Sequence, residues 1–210
     1  MGIKGKKVLV TAGPTWVAID KVRVISNIAS AKTGIILAKK MAALGAKVTL
    51  LLGPIGEARL DKRVNVKRYS FFDELDSLLK RELSLKTYDA VIHSAAVSDY
   101  RPKNIFCGKV KSGKDNLNLF LKPTSKIVDK LKKYSPGIFL VMFKLEFGAL
   151  GDKLINSARR AMQRAAADLC VVNTFSKGKY KALIINKNKV LDKVYSKEKL
   201  AGKLLKIISL

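Results

Sequence analysis

Short apolar runs alternate with stretches of helical periodicity along this whole 210-residue chain, and few folds accommodate that pattern. KKVLVTAG at 6–13 reads as a buried first strand, and KTGIILAKKMAALG at 32–45 as a helix closed by Gly45. A second strand, KVTLLLGP at 47–54, and a third, VNVKRY at 64–69, precede a helix from Phe71 to about Leu85. YDAVIHS at 88–94 is a fourth strand. NLNLFLK at 116–122 alternates again, and Thr124 is placed to N-cap a helix running to about Lys133. GIFLVMFKL at 137–145 is a strong buried strand, followed by a helix from Ala149 to Ala167 and a strand, DLCVVN, at 168–173. ALIINKNKVLDKVY at 182–195 folds back at Lys187-Asn188, and Ser196 caps a last amphipathic helix. The alternation predicts an α/β fold: a Rossmann-like, mostly parallel sheet flanked by helices, with a small C-terminal hairpin, in one domain over 1–210.

Composition then narrows the class. With 48% apolar residues the chain is no disordered segment. No window reaches the roughly 18–20 unbroken apolar residues of a membrane span. The start, MGIKGKKVLV, has too short an apolar run for a signal peptide, and Lys6 breaks the myristoylation pattern. Cys107 and Cys170 are far apart and in no CxxC, which argues against a disulfide framework and for a reducing cytoplasm. The formal charge of +26 leaves two readings. One is a nucleic-acid or anionic-membrane surface. The other is a lysine-rich solvated surface around a phosphate-handling site, as in heat-adapted proteins. An even spread of lysines, without an arginine-rich or aromatic-interleaved block, favours the second.

Two segments carry candidate chemistry. AAVSDYRPKNIFCGKVKSGK at 95–114 leaves the carboxyl end of the fourth strand, where open α/β sheets bind ligands. Paired alanines permit close backbone approach, and Asp99, Arg101, Lys103, Lys109, Lys111 and Lys114 suit a polyanion under a mobile basic cover. TAGPTWVAIDKVRVISNIASAKTG at 11–34 is a connection too long for an ordinary strand–helix turn. Its Gly13, Ser26, Asn27, Ser30, Lys32 and Gly34 can offer N–H groups and hydroxyls to phosphate at a helix N-terminus. No GxGxxG follows the first strand, and the second ends on Gly53-Pro54 with no acid for a ribose. Those absences, and the wrong spacing of Tyr100 and Lys103 for a Tyr-x-x-x-Lys pair, count against an NAD(P)-dependent reductase. There is no Walker A sequence. His93, at a strand end, reads as a structural histidine, and Cys107 as a small hydrophobe.

Several motifs in order resemble the phosphopantothenoylcysteine synthetase (phosphopantothenate–cysteine ligase) family. They are TAGPT at 11–15, ID at 19–20, VRVISN at 22–27, ASAKTG at 29–34, AAVSDYRP at 95–102 and Lys109-Val110-Lys111. LKPTSKI at 121–127, MFKLE at 142–146 and DLCVVN at 168–173 complete the series. The resemblance implies a stand-alone synthetase domain without the flavin-dependent decarboxylase to which it is often fused, with a flap at about 100–115. The implied reaction joins 4'-phosphopantothenate to cysteine through an acyl-nucleotide, releasing pyrophosphate and a nucleoside monophosphate in coenzyme A biosynthesis. CTP or ATP with Mg2+ would be the co-substrate. A homodimer is implied, with a separate decarboxylase as a possible partner and no membrane.

By the same resemblance, Lys109, Asn27 and Arg23 are catalytic, Lys109 neutralising charge on the phosphates. Nucleotide contacts fall on Gly13, Ser30, Ala95, Ala96, Asp99, Lys109, on Ser125, Lys126, Ile127 and Val128, and on Phe143 against the nucleoside. The chain also departs from the pattern. The Ser-Ser-Gly-Lys turn has become Ala29-Ser30-Ala31-Lys32, losing a hydroxyl and a glycine, and Trp16-Val17 stand where an acid is common. Two lysines of bacterial members fall on Ala161 and Ala165. Arg160 and Arg164 lie about 100° away round a helix and do not substitute for them.

Overall fold

The computed structural model describes residues 2–113, 116–147, 151–176 and 179–208. The chain enters through β1 (Lys7–Ala12), whose KVLVTA is buried from its second residue onward and lies in the middle of an eight-stranded sheet. Strands covered on both faces are apolar throughout rather than alternating, as β1 is. A hairpin follows, β2 (Trp16–Ala18) against β3 (Val24–Ser26), inside the long strand–helix connection, where the sequence marks no strand. Then come α1 (Lys32–Ala43), β4 (Lys47–Leu52), β5 (Asn65–Arg68) and α2 (Phe72–Leu85), stepping outward on one side of β1.

The chain next crosses to the other side of β1. β6 (Ala90–His93) pairs parallel with β1, and β9 (Phe139–Phe147) and β10 (Leu169–Ser176) extend the parallel run. Between β6 and β9 lie β7 (Tyr100–Pro102), β8 (Leu121–Pro123) and α3 (Val128–Tyr134); β7 and β8 pair antiparallel. α4 (Asp152–Ala165) connects β9 to β10. The hairpin β11 (Lys179–Ile185) and β12 (Val190–Val194) closes the sheet antiparallel, and α5 (Lys197–Ile207) ends the described chain, its cap Ser196 accepting from Lys199 N–H. The order β12-β11-β10-β9-β6-β1-β4-β5 is the expected mostly parallel α/β sheet with a C-terminal hairpin. Among the described residues no helix is long and apolar enough to cross a membrane.

Core packing follows strand alternation. Val8, Val10, Val141, Val171 and Ile184 face α1 and α5, while Leu9, Val91, Leu140, Met142, Val172 and Leu183 face α2, α3 and α4. Three expectations need correcting. Of NLNLFLK only Leu121 and Lys122 enter a strand, because their partner β7 is just three residues long. Thr124 does not cap a helix: α3 starts at Val128, and the Thr124 hydroxyl donates to Ser98 O at 2.6 Å. The helix expected from Ala149 begins at Asp152, and residues 148–150, like Lys114, lie outside the described residues.

Candidate active site

The strand order reverses at β1: the chain steps from β1 to β4 on one side, and β6 lies on the other, so the connections leaving β1 and β6 diverge. At such a switch point an open parallel sheet leaves a crevice beyond its carboxyl ends. Both candidate segments, 11–34 and 95–114, emerge there, Lys114 lying outside the described residues.

The floor of this crevice is built by unusually close backbones. Gly13 has φ +90°, and a Cβ there would lie 3.1 Å from the Gly53 backbone. Gly34, in the first turn of α1, sits so near β1 that a Cβ would meet Ala12 Cβ at 2.5 Å and Ser94 Oγ at 2.8 Å. α1 is thereby drawn against the strand end, with its N-terminus at the crevice and no acidic residue in its first turn. Ala31, which precedes it, holds φ +57° despite having a Cβ, so the turn keeps a conformation that favours glycine.

Hydrogen bonds lace the two loops together. Ala96 N–H donates to Gly13 O at 2.9 Å, and Thr15 N–H returns to Ala96 O at 3.3 Å. The Thr11 hydroxyl accepts from Ala95 N–H at 3.2 Å and shares a 3.0 Å hydrogen bond with His93 Nδ1. Burial lowers His93 to about 4, so the ring is neutral at pH 7. Thr15 Oγ1 accepts from Ser98 N–H at 2.9 Å, and Ser98 Oγ donates to Thr15 O at 3.1 Å. Asn27 Nδ2 donates to both Ala96 O and Val97 O at 3.1 Å, fastening the end of the first loop to the second.

The basic arm is fastened too. Asp20, with a fully buried side chain, accepts from Val22 and Arg23 N–H at 2.8 Å and from Val110 N–H at 3.0 Å. The Val110 N–H, more than any other partner, holds its carboxyl below the usual carboxylate range. Arg23 Nη1 pairs with Asp20 at 3.1 Å while Nη2 donates to Val110 O at 2.8 Å. Lys109 and Lys111 flank Val110 and are exposed.

The other candidates are less tightly gathered. Asp99 pairs with Lys126 at 2.5 Å rather than with Arg101, which makes a two-point contact to Asp73 and lies 5.3 Å over the Phe72 ring. Ser30 and Ser125 are exposed, and Ala95 and Ala96 half-buried. Ile127 and Val128 pack on the α2–α3 face. Phe143 packs half-buried against the α1–α5 side, so strand alternation sets it on the opposite face from Val128. Ala161 and Ala165 are buried among Met142, Met162, Cys170 and Leu183. Thr11, Thr15, Asp20, His93, Ser98 and Thr124 escaped the sequence reading as site residues. For Asp20 a signal existed: an acid three residues before an arginine, in a chain with only 16 acids against 42 basic residues.

A broad hollow of about 680 Å³, lined by Asn156, Arg159, Gln163, Asp168 and Lys187, opens at the other end of the sheet. Its Asp168 is paired with Lys132 at 2.8 Å, and its Arg159 donates to Asn188 O. It receives neither of the two long loops, so size alone does not make it the site.

A switch point floored by interlocked backbones, with a lysine-bearing loop fastened beside it, defines an α/β protein with the strand-end site architecture of open parallel sheets. Within that class the chain belongs to the DNA/pantothenate metabolism flavoprotein C-terminal domain family, which matches residues 3–209. It is 42% identical over 173 residues to the coenzyme A biosynthesis bifunctional protein CoaBC of Thermococcus kodakarensis, covering 82% of this chain and 42% of that protein. The chain thus spans about half the length of the curated relatives it matches. The crystal structure of the DNA/pantothenate metabolism flavoprotein from Streptococcus pneumoniae superposes with a TM-score of 0.86 at 28% identity, covering 97% of this chain and 98% of that one. A Cab2 mutant in complex with phosphopantothenate-cysteine shares the fold, with a TM-score of 0.78 at 18% identity over 97% of this chain and 86% of that one.

Proposed function

We propose that this chain is a phosphopantothenate–cysteine ligase, acting in coenzyme A biosynthesis through an acyl-nucleotide. The carboxylate of 4'-phosphopantothenate attacks the α-phosphorus of CTP or ATP, and the bond to pyrophosphate breaks. The cysteine amine then attacks the acyl carbon, the bond to the nucleotide breaks, and the amine loses a proton as the amide forms. Such chemistry asks the protein mainly for positioning and charge neutralisation. The observation that carries the reading is the crevice at β1 and β6, with Asn27 bridging Ala96 and Val97 and the Lys109 arm anchored beside it.

In this reading the nucleotide lies along Gly13, Ala95, Ala96 and Asp99, its phosphates toward Ser30 and the N-terminus of α1. Asn27 orients the acyl-nucleotide, and Lys109 neutralises charge on the phosphates. Lys126 is held ready by Asp99, and Ser125 borders the nucleoside; Ile127 is core, and Phe143 lies across the sheet from Val128. Magnesium comes as the counter-ion of the triphosphate. Magnesium on a triphosphate keeps several waters and needs few protein ligands. A homodimer is supported by apolar side chains exposed on the two loops and beside them, including Val22, Ile28, Ile105 and Phe120.

The test is pyrophosphate release by the purified chain given 4'-phosphopantothenate, cysteine, magnesium and either CTP or ATP. Release with one nucleotide, dependent on 4'-phosphopantothenate and sustained beyond a single turnover by cysteine, is expected. None with either nucleotide would refute the ligase reading.

A further inference from the structure

The Asp20–Arg23 pair does something for which a loop ion pair is not needed. Both peptide groups of Val110 are taken by this one pair: Asp20 Oδ2 accepts its N–H at 3.0 Å, and Arg23 Nη2 donates to its carbonyl at 2.8 Å. Arg23 Nη1 closes the ring on Asp20 at 3.1 Å. Two side chains here do the work of a neighbouring strand, and they act on the residue between Lys109 and Lys111. Two backbone contacts run alongside, Phe106 N–H to Ile19 O at 3.0 Å and Lys21 N–H to Gly108 O at 3.4 Å. The Asp20 side chain has no solvent exposure, while Arg23 retains 36%. A buried carboxylate is tolerated only when its lone pairs are filled, so removing Val110 from the clasp would leave Asp20 under-satisfied.

We propose that Asp20 and Arg23 are positioning residues, a clasp that pins Val110 and so sets where Lys109 and Lys111 reach over the crevice. This rests on the ligase reading for what the lysines do, but not for the clasp itself. Arg23 then acts on the reaction through the arm. The two carboxylate oxygens divide the labour: Oδ1 serves the local turn through Val22 and Arg23 N–H, and Oδ2 serves the arm. Asp20→Asn can keep the first oxygen as an acceptor while turning an amide N–H2 toward Val110 N–H and Arg23. It releases the arm without dissolving the turn.

The experiment uses the full chain and trypsin under native conditions, scoring initial cleavage after Lys109 and Lys111. Cleavage of a transiently opened segment follows its opening equilibrium, so Asp20→Asn should be cut about tenfold faster there than wild type, with other sites unchanged. Arg23→Lys, which keeps the charge but cannot bridge both partners, should act the same way if Asp20→Asn folds poorly. Cleavage within about twofold of wild type in both variants would overturn the clasp. A second measurement excludes a merely structural role. Asp20→Asn should lower kcat, and adding it to Lys109→Ala should cost almost nothing more, because a mispositioned lysine and a missing one fail alike. Full additivity would also overturn it. If wild type releases no pyrophosphate the ligase reading fails and proteolysis alone judges the clasp. If turnover is present and proteolysis is unchanged, the clasp fails and the ligase reading stands.

Discussion

The two sides of the crevice are built on different principles. On the β1–β6 side nearly every polar group near the strand ends is engaged, with Thr11, Thr15, Asn27 and Ser98 each bonded to the opposite loop. On the α3 side Ser125 is exposed and the Lys126 ammonium pairs with the exposed Asp99. One side fixes backbone positions through short-range contacts. The other leaves side chains to be arranged by whatever binds. Positioning by the fold therefore belongs to the first side, and the proposed ligase reading assigns the choice of nucleotide to the second.

The sharpest way to break this division is at its boundary, the arm. If Lys109 supplies the charge that the fixed floor lacks, Lys109→Ala should lower kcat by about 10²–10³, the range for removing a preorganised donor at developing charge, with little change in thermal stability. Steady-state pyrophosphate release measures it. A fall in apparent nucleotide affinity with kcat intact would instead make Lys109 a ground-state anchor and move the arm to the adaptable side.

The second prediction concerns the two alanines where lysines are expected. Ala165 is 2% exposed and touches a cluster with Met142 and Cys170. Ala165→Lys should cost about 3 kcal/mol or more, combining overpacking with a poorly solvated ammonium, as read from denaturant unfolding. A variant that kept wild-type stability would show that this face of α4 opens to solvent.

The third bears on how the floor is held. His93 has a lowered pKa of about 4 because it is buried, against about 6.5 in an unfolded chain. As pH falls below 6.5 the unfolded state takes up the proton first, so stability present at pH 7 is lost progressively down to pH 4. The loss amounts to about 3 kcal/mol. His93→Gln removes that titration, and the difference between the two unfolding curves isolates it from the carboxylates. Equal acid sensitivity in the two proteins would mean that the ring is not buried neutral beside Thr11.

Which parts of this were legible in the sequence follows the same division. Runs such as VLVTA and AVIH announce strands because two-sided burial demands continuous apolarity, and the floor motif AAVSDY stands at the end of one of them. The mostly parallel sheet is readable for that reason. The hairpin at 16–26 was not, because its strands are three residues long and rest on backbone pairing rather than on a buried face. The clasp was not either, since nothing local in Ile19-Asp20 points ninety residues along the chain to Val110. Thr124 misled because a threonine ahead of a helix has the chemistry of a cap, yet a carbonyl from the neighbouring loop claimed its hydroxyl first.

The smallest expected effect tests whether the altered turn at Ala31 is a defect. Ala31 and Ala166 both hold left-handed backbone, at φ +57° and +51°. They differ in burial: Ala31 is 9% exposed and packs with the α1–α5 cluster, whereas Ala166 is exposed at the end of α4. Glycine at either position relieves about 1–2 kcal/mol of left-handed strain, offset by about 0.4–1 kcal/mol from a freer unfolded chain. At Ala31 it also removes a buried methyl worth about 0.8 kcal/mol. Ala166→Gly should therefore raise stability by roughly 0.5 kcal/mol, and Ala31→Gly should leave it unchanged or slightly lower. Denaturant midpoints at constant slope read the difference. If Ala31→Gly stabilises as much as Ala166→Gly, the methyl contributes nothing and the lost glycine is a plain cost to the turn. If the two diverge as expected, the alanine has exchanged backbone ease for packing under α1, and the fixed side of the crevice keeps its geometry by burial.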